Sequence, residues 1–190
     1  MKKILKVMAL MLITSLGTSV FAQNKIADNI ELSLSISPYS LESFNYKSSS
    51  IDTINTKYGF GAEIEGRYFF NEILYTGLDL SFDDFYLGSS YSKNYFNAKV
   101  MPEIGARFNL NEKFYLFTAL GAGAFIGYYD GTAGCYFGSQ LSLGGGFNLT
   151  QKIGIELGAA GNWHLQNHSD SDLTANVFGL NTKLGVKFRF

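Results

Sequence analysis

The chain has 190 residues, enough for one domain of ordinary size, and 15 Lys+Arg against 16 Asp+Glu leave a net charge of −1. With no basic block and no positive balance, a nucleic-acid-binding surface is excluded. Aromatic residues reach 16% and glycine occurs 21 times, against 2 prolines and 1 cysteine; that cysteine, Cys135, permits no internal disulfide and reads as an isolated loop or strand-end thiol rather than a nucleophile.

In chain order, the first element is a leader. Lys2, Lys3 and Lys6 make a basic start, residues 7–13 an apolar stretch too short to span a bilayer, and Val20-Phe21-Ala22 a cleavage site. The pattern predicts a signal peptide over 1–22, cut after Ala22, and one domain over 23–190. No cysteine near the apolar stretch supports a lipid anchor. The three lysines leave with the leader, so the remainder is more acidic than the whole.

Period-two alternation then dominates, which predicts strands. The runs cover 30–36, 58–68, 74–83, 96–108, 116–126, 137–147, 153–165 and 178–190. The connections alternate. Those near 70–72, 109–112 and 148–151 are short; those at 37–56, 87–94, 127–134 and 166–174 are longer and rich in Ser, Asn, Asp and Tyr. A hairpin repeat of about 40 residues is visible as GRYFFNE at 66–72, ARFNLNE at 106–112 and GFNLTQ at 146–151, with VKFRF at 186–190 as a truncated fourth copy. Eight long strands with short turns at one end and longer loops at the other describe an up-and-down meander.

One face of these strands is apolar and the other polar. The polar face carries Glu31, Glu63, Glu65, Asp79, Glu103 and Glu156 against Arg67, Lys99, Arg107, Lys183, Lys187 and Arg189. It is also crowded with glycine, including Gly121, Gly123, Gly144 and Gly146. Glycine weakens a solvent-exposed strand but makes room inside a narrow barrel. The apolar face has aromatics at both ends: Tyr68, Phe108, Phe114, Phe147, Phe188 and Phe190 by the turns, and Tyr58, Phe60, Phe82, Phe96, Phe137, Trp163 and Phe178 towards the loops. Smaller aliphatics fill the middle. Two aromatic girdles around an aliphatic band suit a face that meets lipid. The alternative, a soluble lipocalin-like barrel with its apolar face inward, lacks a Gly-x-Trp signature near the first strand. The expected fold is an all-β, eight-stranded antiparallel up-and-down transmembrane β-barrel.

In this architecture and in its C-terminal residue, the chain resembles the small outer-membrane β-barrel family of Gram-negative bacteria, OmpX/OmpA-like in size, across residues 23–190. The resemblance implies a location in the outer membrane, embedded in its lipid, with the longer loops outside the cell. It also implies that the last strand, through Leu184, Val186, Phe188 and Phe190, is recognised by the outer-membrane barrel assembly machinery.

Eight strands enclose an interior that side chains can fill, and a buried charge is costly unless paired. Residue offsets counted from the short turns put Arg67, Arg107 and Lys187 in one layer, and Glu63, Glu103, Glu156 and Lys183 in the next. The twelve charged positions are therefore expected to form a lumen network that plugs the barrel, with Glu31 facing Lys183, Lys187 and Arg189 across the seam. The alternative is a small ion-selective pore. A lipid-modifying enzyme is a weaker reading. His164-Leu165-Gln166-Asn167 resembles the His-x-Ser-Asn motif of outer-membrane lipid A deacylases, but Gln166 replaces the serine and His164 falls in the lumen phase. His168-Ser169-Asp170 has the residue types of a triad in a loop, without the scaffold that orients one. His164, His168, Asp170 and Asp172 are a weak metal set. The expectation is a non-enzymatic monomer without metal or cofactor. Its tyrosine-rich loops, above all 41–56, are suited to an extracellular surface partner.

Overall fold

The computed structural model describes residues 29–46, 54–55, 58–86, 94–129, 132–167 and 174–190. The expected signal peptide lies outside the described residues. Eight long strands follow in chain order: β1 (Ile30–Tyr46), β2 (Tyr58–Phe69), β3 (Leu74–Tyr86), β4 (Asn94–Asn109), β5 (Phe114–Tyr129), β6 (Thr132–Asn148), β7 (Ile153–Asn167) and β8 (Thr174–Arg189). Each pairs antiparallel with the next, and β8 returns to pair with β1 from Glu31↔Arg189 to Tyr46↔Ala175. A two-residue strand, Ile54–Asn55, adds to β1 at Ser43 and Phe44. The closed meander removes both sheet edges, as a bilayer requires.

The hairpin repeat has a local cause. In the first short turn the Asn71 side-chain oxygen accepts from the backbone N–H of Ile73 and Leu74 at 2.9 and 2.8 Å. In the second, Asn111 accepts from Lys113 and Phe114, both at 2.8 Å. In the third, Thr150 Oγ1 accepts from Lys152 and Ile153 at 3.1 and 3.0 Å. Asn and Thr recur because their short polar side chains can satisfy turn N–H groups that the ladder leaves free. The truncated copy closes the barrel instead: Phe190 N donates to Ile30 O at 3.1 Å, and Arg189 N to Lys152 O at 2.7 Å.

The strands outrun the sequence expectation at the loop end. Residues 37–46 were expected in a long loop, and the structure continues β1 through them. A bulge between Ser37 and Ser40 makes this possible. Pro38 has no N–H to donate, and the bulge turns two successive residues outward. Thr182 Oγ1 repairs the ladder, accepting from Tyr39 N at 3.2 Å and donating to Tyr39 O at 2.9 Å. Odd residues face inward before the bulge and even residues after it, which brings Glu42 and Phe44 into the lumen. Gly127 and Gly134, expected in a loop, pair with each other in the β5–β6 ladder, and Cys135 pairs with Ile126 on the exposed face.

Outside, the aromatic girdles and the aliphatic band between them face away from the barrel. Tyr68, Phe108, Phe114 and Phe190 are exposed at the turn end, Phe60, Phe137, Trp163 and Phe178 towards the loops, and Leu78, Leu120 and Leu157 between. Inside, the packed core is the lumen itself.

Candidate functional site

The lumen is built from the inward residues of all eight strands. At the turn end Glu31 is the focus. Arg107, reaching across from β4, places Nη1 2.6 Å from Glu31 Oε1 and engages the second oxygen through Nη2. Arg189 Nε donates to Glu31 at 3.0 Å, and Lys187 Nζ lies 3.7 Å away. The Arg107 guanidinium also lies 4.4 Å from the ring centroids of both Phe69 and Tyr115, and the Lys187 ammonium 4.3 Å from Tyr115. These cation–π contacts add attraction that a desolvated guanidinium otherwise lacks.

Next along the barrel, Arg67 on β2 bridges to Glu65 on its own strand and to Glu156 on β7, the latter at 2.6 Å. Glu156 also accepts from Tyr115 Oη at 2.7 Å and from Ser33 Oγ at 3.1 Å. Lys183 on β8 reaches Glu63 on β2 at 2.7 Å and Asp79 on β3 at 3.6 Å. Lys99 lies 3.6 Å from Asp79 and donates to Gln140, whose amide donates to Asp79 at 2.7 Å. Towards the loops, Asp83 accepts from Ser40 and Asn181 at 3.0 and 2.9 Å, and Asn97 donates to Glu42 at 2.8 Å. Apart from the partly exposed Arg189, all of these charged groups are buried.

The structure thus brings together eleven of the twelve charged positions singled out from the sequence. Glu103 is the twelfth. It is buried, its carboxyl faces Glu65, and no cation lies within ion-pair distance among the described residues. The two charge layers counted from the turns do not form. Glu156 joins the arginines rather than the Glu63–Lys183 pair, because offsets from a turn ignore the stagger between tilted strands. Of the expected seam partners of Glu31, Lys187 and Arg189 reach it, and Lys183 turns to Glu63 instead.

Alternation sets Tyr75, Phe117 and Phe125 in the polar phase of their strands, but the aromatic share of the lumen was not singled out from the sequence. Tyr75, Phe85, Tyr95, Phe117 and Phe125 are buried inside the lumen. A signal was available in the register. Tyr75 sits opposite Gly105, Tyr115 opposite Gly146, and Phe117 opposite Gly144. At Gly105 and Gly146 a built Cβ would run into the tyrosine ring itself. Each inward glycine in these pairs is the space its neighbour's ring occupies. At the loop end Phe44 and Tyr95 meet edge to face at 5.4 Å, and His164 stacks on Phe125 at 4.4 Å. His164 is buried, and neither ring nitrogen has a hydrogen-bond partner among the described residues. His168, Ser169, Asp170 and Asp172 lie outside the described residues. Among those described, no group of three or more His, Cys, Asp or Glu could hold a metal.

A closed antiparallel barrel with an apolar outer band, two aromatic girdles and a charged interior defines a transmembrane β-barrel. The match to the family model for the outer membrane protein beta-barrel domain covers residues 8–190, so the chain belongs to that family and is a protein of the Gram-negative outer membrane. Two of the similar solved structures, with TM-scores above 0.5, share the fold. Neisserial surface protein A has 16% identity and a TM-score of 0.61, over 85% of this chain and 97% of that one. OprG from Pseudomonas aeruginosa has 12% identity and a TM-score of 0.52, over 86% and 98%. Ail, the attachment invasion locus protein of Yersinia pestis, has 20% identity and a TM-score of 0.42, over 85% and 99%. No curated protein matches the chain.

Proposed function

We propose that the protein is a non-enzymatic, non-conducting barrel whose filled lumen serves as a rigid mount for extracellular loops in surface interaction. The observation that carries this is the cross-lumen tie of Arg107 to Glu31, with the guanidinium over Phe69 and Tyr115. Side chains from strands three apart around the barrel meet there, and a tie across the lumen narrows the path open to a hydrated ion. The ties from Lys183 and from Gln140 to Asp79, at 3.6 and 2.7 Å, repeat the crossing further along. Purified protein in a planar bilayer should give no steady open conductance; a steady conductance would overturn the closed lumen and favour the pore.

The same reading assigns residues 1–22 to a cleaved signal peptide and 23–190 to the barrel domain. It assigns recognition by the barrel assembly machinery to the outward Leu184, Val186 and Phe188 with Phe190, on a monomer. The loops that would meet a surface partner lie largely outside the described residues.

A further inference from the structure

The three short turns share one hydrogen-bonding pattern but not one charge. The residue just before each new strand is Ile73 in the first turn, Lys113 in the second and Lys152 in the third. In each turn its N–H donates to the Asn or Thr side chain and its C=O accepts from the next strand. Ile73 shows that the turn itself has no need of a cation there. The two lysines stand side by side on adjacent turns and line one groove of about 670 Å³ together with Arg189, Leu149, Phe190 and Glu112.

The groove is amphipathic. Its cationic side chains are Lys113, Lys152 and Arg189, and its one acidic side chain is Glu112. Among the described residues Lys113 and Lys152 make no ion pair, and the Arg189 contact to Glu31 is made through Nε. Leu149 and Phe190 are more than half exposed in the same groove, with Phe114 and Ile153 outward on the strands below. Short turns of outer-membrane barrels face the periplasm, so the groove sits at the headgroup level of the inner leaflet. A site with cations above and apolar side chains below matches a lipid, whose phosphate and chains are joined, better than a free anion.

We propose that this groove binds the phosphate of an anionic phospholipid headgroup from the inner leaflet, with its acyl chains along Phe190 and the girdle below. Each juxtamembrane lysine contributes about fivefold in affinity for an anionic surface. The test uses the whole barrel in nanodiscs, read by amide NMR shifts at Lys113, Lys152 and Arg189. Titrating phosphatidylglycerol into phosphatidylcholine discs should give saturable shifts at all three. Adding inorganic phosphate to pure phosphatidylcholine discs should give none. In Lys113→Ile/Lys152→Ile, which copies the first turn, apparent affinity should fall about fivefold per lysine; Lys113→Arg/Lys152→Arg should keep it. Equal shifts in pure phosphatidylcholine would overturn the proposal, as would a response to phosphate alone or unchanged phosphatidylglycerol binding in the isoleucine variant. The wild-type comparison of the two lipids stands even if a variant folds poorly.

Discussion

Replacing Glu31 with Ala removes the one acceptor on which Arg107, Lys187 and Arg189 converge. Without it, among the described residues, Arg107 would stay buried with Glu156 at 4.0 Å as its remaining carboxylate, and Lys187 with only the Asn148 side-chain oxygen at 2.8 Å as acceptor; Arg189, 42% exposed at its side chain, can turn to water. Breaking a buried pair from one side costs about 3–5 kcal/mol because a charge is left uncompensated, and Glu31→Ala belongs in that range. Arg107→Ala should cost a comparable amount by a different route. Glu31 keeps Arg189 at 3.0 Å and Lys187 at 3.7 Å, so no charge is stranded. The loss is a charged hydrogen-bonded contact of about 1.5–3 kcal/mol and two ring contacts of roughly 0.5–1 kcal/mol each, about 2.5–5 kcal/mol together. The assay is urea unfolding from phosphatidylcholine vesicles, followed through the single tryptophan, Trp163, and by heat-modified gel migration. In the Glu31→Ala/Arg107→Ala double variant the stranded guanidinium is gone, so the loss should fall short of the sum of the two single losses by more than about 0.5 kcal/mol; strict additivity would refute the assignment of Glu31 as the hub.

Three further outcomes test the remaining assignments. Gly146→Leu places a side chain where the Tyr115 ring lies and should cost about 1–3 kcal/mol in the same assay, whereas Gly161→Ala, with open space around its Cβ position, should change the midpoint little. Asn71→Ala and Asn111→Ala each remove an acceptor shared by two backbone N–H groups; a loss of about 1 kcal/mol and faster amide exchange at Leu74 and Phe114 are expected, without loss of the barrel. Deleting Phe190 should lower outer-membrane levels in cells while leaving refolding into vesicles largely intact; normal cellular levels would contradict the role proposed for the last residue in assembly.

The barrel was legible because its two faces obey different rules along every strand. Alternation located all eight strands, and the girdles said which face meets lipid. The lumen was legible only as a set of residues. Which acid meets which base depends on stagger, and that is why Glu156 lies with Arg67 and Arg107 rather than beside Lys183. The strand ends near the loops were misjudged for a different reason. The Ser37–Ser40 bulge reverses the inward parity, so Ser40, Glu42 and Phe44 look out of phase to any count carried through from Glu31. Rings inside the lumen were partly legible, because alternation sets Tyr75, Phe117 and Phe125 opposite the apolar residues of their strands. The register, which sets Tyr75 against Gly105 and Tyr115 against Gly146, adds the space that such a ring fills.

The charged lumen also has a consequence for how the sequence specifies one register. Lipid supplies no hydrophobic drive that would tell one apolar strand face from another, so an all-apolar chain could slip. A one-residue slip turns every inward side chain outward. A slip of β4 alone would carry Lys99 and Arg107 towards the acyl chains, at about 2–4 kcal/mol for a basic residue near the bilayer midplane and less near the turn end. That is a sizeable share of the stability of an ordinary domain, about 5–15 kcal/mol. The bulge in β1 supports the same logic, because it lies where the polar residues themselves change parity. Without the extra outward residue, Glu42 would face lipid; with it, Glu42 meets Asn97 inside. Buried ion pairs that add little net stability can thus still decide which of two nearly isoenergetic pairings the barrel adopts.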